Sequence, residues 1–294
     1  MVNDMSTAIG ELKSQNGNTL MKMWSIDVPP CTRPFVRHYH TRFEITVVNS
    51  GSGVYTTEKS VYPMREGDVF VFSSNEVHSI TKVEASGISI TNLHFEPRYI
   101  NGEFSESFGD SYAMFCFFHA ANFSNRIPSE SAGILREHHN AIAEEFKKQE
   151  EHYSLAIHSH LYFILIELLR KHGYRMLNLP QSSILDFLKV YDYIDKHIDE
   201  PLKLSEISAL VGITPNYFSH KFKESNGISL WEYITSKRIE KSVKMILDLD
   251  NRHTILEIAL QCGFNNTVNF NKAFKKLKGF TPAELRKNPK LLFH

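Results

Sequence analysis

Three histidines and a glutamate stand close together early in the chain: His38, His40 and Glu44, followed by His78 at the end of the stretch GDVFVFSSNEVH. Imidazole nitrogens and a carboxylate are donors that a divalent transition metal accepts. Without a metal, the same groups would line a polar pocket able to hydrogen-bond a small ligand. On an extended strand the side-chain period of two puts His38, His40 and Glu44 on one face. From these residues alone a metal site, a metal-free pocket and a satisfied structural cluster all stay open. Arg37, Arg42, Tyr55, Asn92 and His94 are further polar groups of the same region, and parity brings only some of them inside.

A second set of suggestive residues lies in a pattern written twice near the C-terminal end. LSEISALVGITPNYFSHKFKESNGIS, from Leu204, sets Ile207, Gly212, Phe218, Phe222, Gly227 and Ser229 at intervals that ILEIALQCGFNNTVNFNKAFKKLKGFT, from Ile255, repeats as Ile258, Gly263, Phe270, Phe274, Gly279 and Thr281. Each copy reads as a short apolar helix, a glycine-containing turn and a second, amphipathic helix, the pattern of helix-turn-helix. Thr214 is the expected N-cap of the first copy's second helix, with Pro215 at its first position. Phe218 and Phe222, four apart, would fasten that helix to Ile207 and Leu210. This leaves Asn216, Ser219, His220 and Lys223 outside, and Asn271, Lys272, Lys275 and Lys276 in the second copy. Hydrogen-bonding and cationic groups on one helix face are what reading base edges and gripping phosphates requires. Two ordinary hairpins with solvating lysines are the plainer alternative. Duplication across a long helix, Ser229 to about Leu249, argues against it.

The elements that must position these residues differ along the chain. Residues 1–20 are polar and read as a flexible lead-in. From Leu20 to about Phe95, short segments such as FEITVV, GVYTTE, GDVFVFS and ISITNLHF are separated by turn residues in SGSG, EGD, SSNE and EASG. That spacing predicts an antiparallel sandwich or barrel rather than βαβ units. An aromatic-rich, irregular stretch over 98–128 precedes two helices, about Ser129 to Gln149 and about His152 to His172. The second is apolar on more than one face and must bury against its own barrel and against something else, a homodimer partner by expectation. Gly173 and Pro180 mark a linker to Ser183.

Composition narrows the classes. Hydrophobic residues make up 42% and charged residues 22% of 294, ordinary for a globular protein long enough for two cores. The apolar run from Leu161 to Leu169 is broken by Glu167 and too short to span a bilayer, and the first residues lack the form of a secretory signal. Cys31, Cys116 and Cys262 are few and scattered, which suggests no disulfide framework and a reducing cytoplasm. The net charge of zero is divided: residues 203–294 hold 15 Lys and Arg against 8 Asp and Glu, leaving 18 against 25 elsewhere. A polyanion partner is expected at the repeat.

The repeated region strongly resembles the AraC/XylS family of transcription regulators. Matching residues include Gly212-Ile213, Phe222-Lys223, Arg238, Ile258-Ala259, Gly263-Phe264, Phe274-Lys275, Gly279, Thr281-Pro282 and Arg286. Ser208 and Ser242 stand where the family usually has Ala, and Thr214 where it has Ser. The order His38-x-His40, Glu44, Gly51, Gly67, His78 looks like the two motifs of a cupin barrel, with Ser73, Asn75 and Lys82 departing from the second. The resemblance implies an α+β chain: a cupin-like antiparallel β-barrel with two helices for effector binding and dimerisation over 21–172, a linker over 173–184, and an all-α domain with two helix-turn-helix motifs over 185–294. It implies DNA contacts at Asn216, Ser219, His220, Lys223, Thr267, Val268, Asn271, Lys272, Lys275 and Lys276. Effector contacts would come from Arg37, His38, His40, Glu44, His78 and His94; four of these, His38, His40, Glu44 and His78, could hold a divalent metal, although no cofactor is required. The implied partners are promoter DNA, a small molecule, most often a sugar, a second copy and RNA polymerase, with activation the usual outcome. A metal-dependent cupin enzyme with an accessory helical domain is the alternative.

Overall fold

The structure, a computed structural model, describes residues 6–13, 19–30, 38–74, 76–96, 99, 124–173, 181–226, 228–248, 252–289 and 291. Arg37, Asn75, Gly227 and the aromatic stretch from Phe104 to Phe123 lie outside these residues. Contacts divide the chain into two units, Met1–Phe35 with Arg42–Asn178, and Val36–Thr41 with Leu179–His294.

In the first unit seven strands form one antiparallel sheet: β1 (Ser6–Lys13), β2 (Thr19–Val28), β3 (Phe43–Thr57), β4 (Val61–Arg65), β5 (Val69–Phe72), β6 (His78–Phe95) and β7 (Arg126–Ile127). The order is β1-β2-β6-β3-β5-β7, with β4 paired to β3. Among the described residues this is an open path, so the expected barrel is here a sheet with edges. Pro63 sits on β4, whose one described partner is β3, where a missing N–H costs no ladder bond on the far side. The lead-in needs correcting as well: Ser6–Lys13 pairs with β2 from Ser6↔Ile26 to Lys13↔Thr19. Two expected turns are also not turns. SGSG and EASG lie inside the long strands β3 and β6, which run past them through register shifts. Gly51 and Gly87 make that passage, with φ of 81° and 72°; a Cβ on Gly51 would collide with the Gly87 carbonyl.

Each face of the sheet buries its own cluster. Phe43, Ile45 and Val47 join Met21, Met23, Leu93 and Phe95 beneath helices α1 (Gly133–Lys148) and α2 (Tyr153–Lys171). Val48, Phe70, Phe72, Ile80 and Ile90 form the other cluster. By strand alternation Glu44 and Thr46 point to that second side.

The second unit is helical: α3 (Gln181–Lys196), α4 (Leu204–Ala209), α5 (Pro215–Asn226), α6 (Leu230–Leu247), α7 (Ile255–Gln261), α8 (Thr267–Lys278) and α9 (Pro282–Lys287). Helix α3 thus begins inside the expected linker, and the units part between Asn178 and Leu179. Helices α6, α7 and α9 each start with a full capping box, Ser229/Glu232, Thr254/Glu257 and Thr281/Glu284. Phe218 and Phe222 pack with Ile207, Val190, Ile194 and Tyr233; Phe270 and Phe274 pack with Ile258, Ile239 and Leu285. Leu210, expected as an anchor, is instead 37% exposed, because the first helix ends at Ala209 and the chain turns away.

Gly263 carries the second motif's turn at φ 81°, and a Cβ there would stand 2.7 Å from the Ile198 carbonyl and 2.8 Å from the Arg238 guanidinium. That space is used. Arg238 reaches past the glycine to donate to the Ile198 and Glu200 carbonyls at 2.8 and 2.7 Å, satisfying acceptors just beyond the end of α3.

Candidate effector pocket and nucleic-acid interface

Glu44 is the centre of the polar site in the first unit. It lies near the start of β3, directly opposite His94 of β6, and is 3% exposed. Its Oε1 accepts from the Thr46 hydroxyl at 2.6 Å and from the Tyr55 hydroxyl at 3.3 Å. Its Oε2 accepts from His94 Nε2 at 2.7 Å and faces His78 Nε2 at 3.3 Å. Three of these contacts are hydrogen bonds, from Thr46, Tyr55 and His94, and the fourth, to His78, is an ion-pair approach. This is how a charge survives burial: donors surround it, and two of its neighbours are imidazoles able to carry the opposite charge.

The surroundings fix the rings. His78 Nδ1 lies 2.8 Å from the Glu76 carbonyl, so that nitrogen carries a proton and donates it, leaving Nε2 for Glu44. Burial opposes charge on His78, but Glu44, by charge and hydrogen bond, together with Glu76 raises the ring above the ordinary histidine range. Burial and the Glu44 charge push the Tyr55 phenol well up, which keeps it a donor. His78 stacks on Phe72 at 4.2 Å, and Trp24 meets His94 edge-on at 4.5 Å. Thr46 also lies 2.8 Å from the Asn92 side-chain amide. One hydroxyl proton cannot serve both neighbours, so with it committed to Glu44 the amide nitrogen of Asn92 is the group that faces Thr46.

Of the expected pocket residues, Glu44, His78, His94, Tyr55 and Asn92 therefore come together. Arg42 does not join them; it pairs with buried Glu96 at 3.5 Å. His38 and His40 belong to the segment Val36–Thr41, which groups with the second unit. Their rings are 6.1 Å apart, and Tyr39 between them packs among the residues around Ile239 and Ile246. Thr41 donates to Glu240 Oε1 from its hydroxyl at 3.0 Å and its backbone N–H at 3.3 Å. A bend at Thr41 and Arg42 precedes β3, so His38 and His40 are not on the strand that carries Glu44. Thr46 was not anticipated; its signal was the same parity that selected Glu44, two residues on.

In the second unit the helices expected to read DNA are α5 and α8. Thr214 Oγ1 accepts from the Tyr217 N–H at 3.4 Å, Asn266 Oδ1 from the Asn269 N–H at 2.8 Å, and Gly279 closes α8 in the left-handed region. With the phenylalanines turned inward, Asn216, His220 and Lys223 are exposed and Ser219 is half-buried. On α8, Val268, Asn271, Lys272, Lys275 and Lys276 are exposed and Thr267 is half-buried. Val268 is an exposed apolar group, at 64%, on an otherwise amphipathic helix. Tyr217, 54% exposed with Lys221 Nζ 5.9 Å from its ring, is a further surface group on α5 that spacing from the anchors did not select. Lys276 and Lys223 both favour the ionised form of Glu232, whose carboxylate is lowered chiefly by its cap bonds to Ser229. Both lysine charges thus act at the start of α6.

Comparisons with known proteins agree with this division. Residues 32–165 match the AraC-like ligand binding domain model, and residues 207–288 match a helix-turn-helix domain model. An uncharacterized HTH-type transcriptional regulator of Staphylococcus aureus strain MSSA476 is 26% identical over 82% of this chain; the chain spans about 30% of that relative's length. The probable transcriptional regulator LumQ of Photobacterium leiognathi is 22% identical, over 84% of this chain and 90% of its own length. ToxT from Vibrio cholerae, in a crystal structure with bound unsaturated fatty acid, has the same fold at a TM-score of 0.60 and 16% identity, over 92% of this chain and 95% of ToxT. With both domain models matched in this order, the chain has the domain arrangement of AraC-type transcription regulators, an AraC-like ligand binding domain followed by a helix-turn-helix domain.

Proposed function

We propose that this protein binds duplex promoter DNA through α5 and α8 and adjusts that binding to a small molecule held beside Glu44. The observation that carries the DNA reading is the pair of capped helices that turn phenylalanines inward and a row of Asn, His and Lys outward. Asn216, Ser219 and His220, with Val268, Asn271 and Lys272, face base edges; Lys223, Lys275 and Lys276 grip phosphates, and Thr267 supports the second helix's approach.

For the effector, a hydroxyl-rich molecule of the sugar class fits best. Glu44 accepts hydrogen bonds, and its two longest contacts, Tyr55 and His78 at 3.3 Å, are the ones a ligand hydroxyl displaces at least cost. A carboxylate head such as the fatty acid of ToxT would meet the Glu44 charge. Glu44 already accepts from Thr46, Tyr55 and His94, so its charge is balanced without a metal and we read the site as needing no cofactor. We read the protein as a non-enzymatic regulator acting in the cytoplasm. Among the described residues no helix is long and apolar enough to cross a membrane.

Helices α1 and α2 leave Ile134, Leu155 and Phe163 at 40%, 52% and 53% exposure, which supports self-association through this pair. Activation through RNA polymerase follows the family's habit. The test is a promoter fragment bound by the full chain with and without a panel of sugars and fatty acids. A shift in DNA affinity with a sugar, lost in Glu44→Gln, is expected; a response to fatty acids alone refutes the effector class.

A further inference from the structure

Helices α1 and α2 bring two histidines together away from the polar site around Glu44. His138 and His160 approach through like atoms, Nδ1 to Nδ1, at 3.0 Å. Both are half-buried, so each ring is held by the protein yet reaches solvent. Phe163 lies flat on His138, centroids 4.8 Å apart with planes 10° from parallel, which fixes that ring's orientation. Two lone-pair nitrogens pointing at one another must share a proton or a cation, since otherwise like dipoles repel.

We infer that His138 and His160 form a two-imidazole clip for a divalent ion of the nickel and copper type, joining α1 to α2. Metal–nitrogen bonds of about 2.0–2.1 Å with nitrogens 3.0 Å apart subtend about 94° at the ion. A tetrahedral ion would want them about 3.3–3.4 Å apart. The observed spacing suits adjacent positions of a square-planar or tetragonal site, the preference of Cu²⁺ and Ni²⁺. When the ion enters, the shared proton leaves Nδ1 for its own ring's Nε2 or for solvent, and both Nδ1 lone pairs bind. The charges of Glu137 and Glu145 act on His160, so negative charge is close enough to attract a cation.

The test uses tag-free full-length protein titrated with NiCl₂ by calorimetry, with ZnCl₂ as comparison. One Ni²⁺ per chain is expected, bound more tightly than Zn²⁺, and His138→Gln or His160→Gln should weaken it at least tenfold. The His38→Ala/His40→Ala double variant separates this clip from the His38/His40 pair: unchanged Ni²⁺ affinity there is expected, whereas loss of binding there and not in the Gln variants overturns the proposal. Should the Gln variants fail to fold, wild-type protein still decides. Cu²⁺ should show two-nitrogen superhyperfine structure in its EPR spectrum, and Ni²⁺ should broaden the ring resonances of His138 and His160 before those of other histidines. No binding, or broadening that begins elsewhere, overturns it.

Discussion

Lowering the pH from 7 to 4 should destabilise the first unit through one side chain, His139, by an amount that follows from its surroundings. His139 is on α1, 1% exposed, beneath the helices where Ile45 of β3 packs. Neither ring nitrogen makes a hydrogen bond of good geometry among the described residues. Burial pushes the imidazole down to about 4; the Ile45 backbone and the Asn140 side chain approach it and offset this only in part. In the unfolded chain the ring titrates near 6.5. Between the two values unfolding takes up a proton, so the stability held by neutral His139 is complete above about pH 6.5 and is lost as pH falls through 4. At about 1.4 kcal/mol per pH unit, that loss comes to ~3 kcal/mol. Urea denaturation of wild type and His139→Leu at pH 7, 6, 5 and 4 checks it, because Leu fills the site without titrating. The gap between the two curves should move in favour of the variant by ~3 kcal/mol across that range. Curves that run parallel refute the reasoning.

The Glu44 network predicts the opposite slope on the other side of neutrality. Because His78 is raised, its contribution is full below about pH 6.5 and is lost as pH rises through its folded value. In Glu44→Gln this alkaline slope should vanish and stability should fall by ~3–5 kcal/mol, as when one member of a buried charge pair is removed. Thermal melts from pH 6 to 9 measure both; a variant keeping the wild-type slope contradicts the assignment. Gly263→Ala should cost clearly more than Gly212→Ala, which has φ 66° but nothing within 4 Å of an added Cβ, so about 1 kcal/mol of backbone strain is its whole penalty. Equal melting shifts would show that the space taken by Arg238 is not what Gly263 protects. Lys272→Ala should cost about 1–3 kcal/mol of DNA affinity and relax preference at one base position in a binding-site selection.

The second unit could be read from sequence because its signals are local. Caps, turn glycines and four-residue phenylalanine spacings act within a few residues, and the duplication reported each twice. Leu210 was misread because whether the last residue of a short helix faces inward depends on where the chain turns. The first unit depends on pairings between distant residues. Ser6–Lys13 is polar and became a strand through β2; Gly51 and Gly87 read as turns until paired across the sheet. The destination of Val36–Thr41 is set by contacts such as Thr41 with Glu240, 199 residues away, which no local pattern announces. Glu44, His78 and His94 were found by residue type alone. That Glu44 accepts at once from Thr46, Tyr55 and His94 required the geometry.

The central claim, that α8 presents phosphate-gripping lysines beside base-reading residues, is tested most directly by the salt dependence of DNA binding. Fluorescence anisotropy of the full chain on a duplex from its own promoter, from 50 to 300 mM salt, gives a log–log slope of roughly −0.9 per phosphate contact. The Lys275→Ala/Lys276→Ala double variant should flatten that slope by about 1.8 and weaken binding to specific and random duplexes alike. An unchanged slope, or a loss confined to one sequence, would contradict the account.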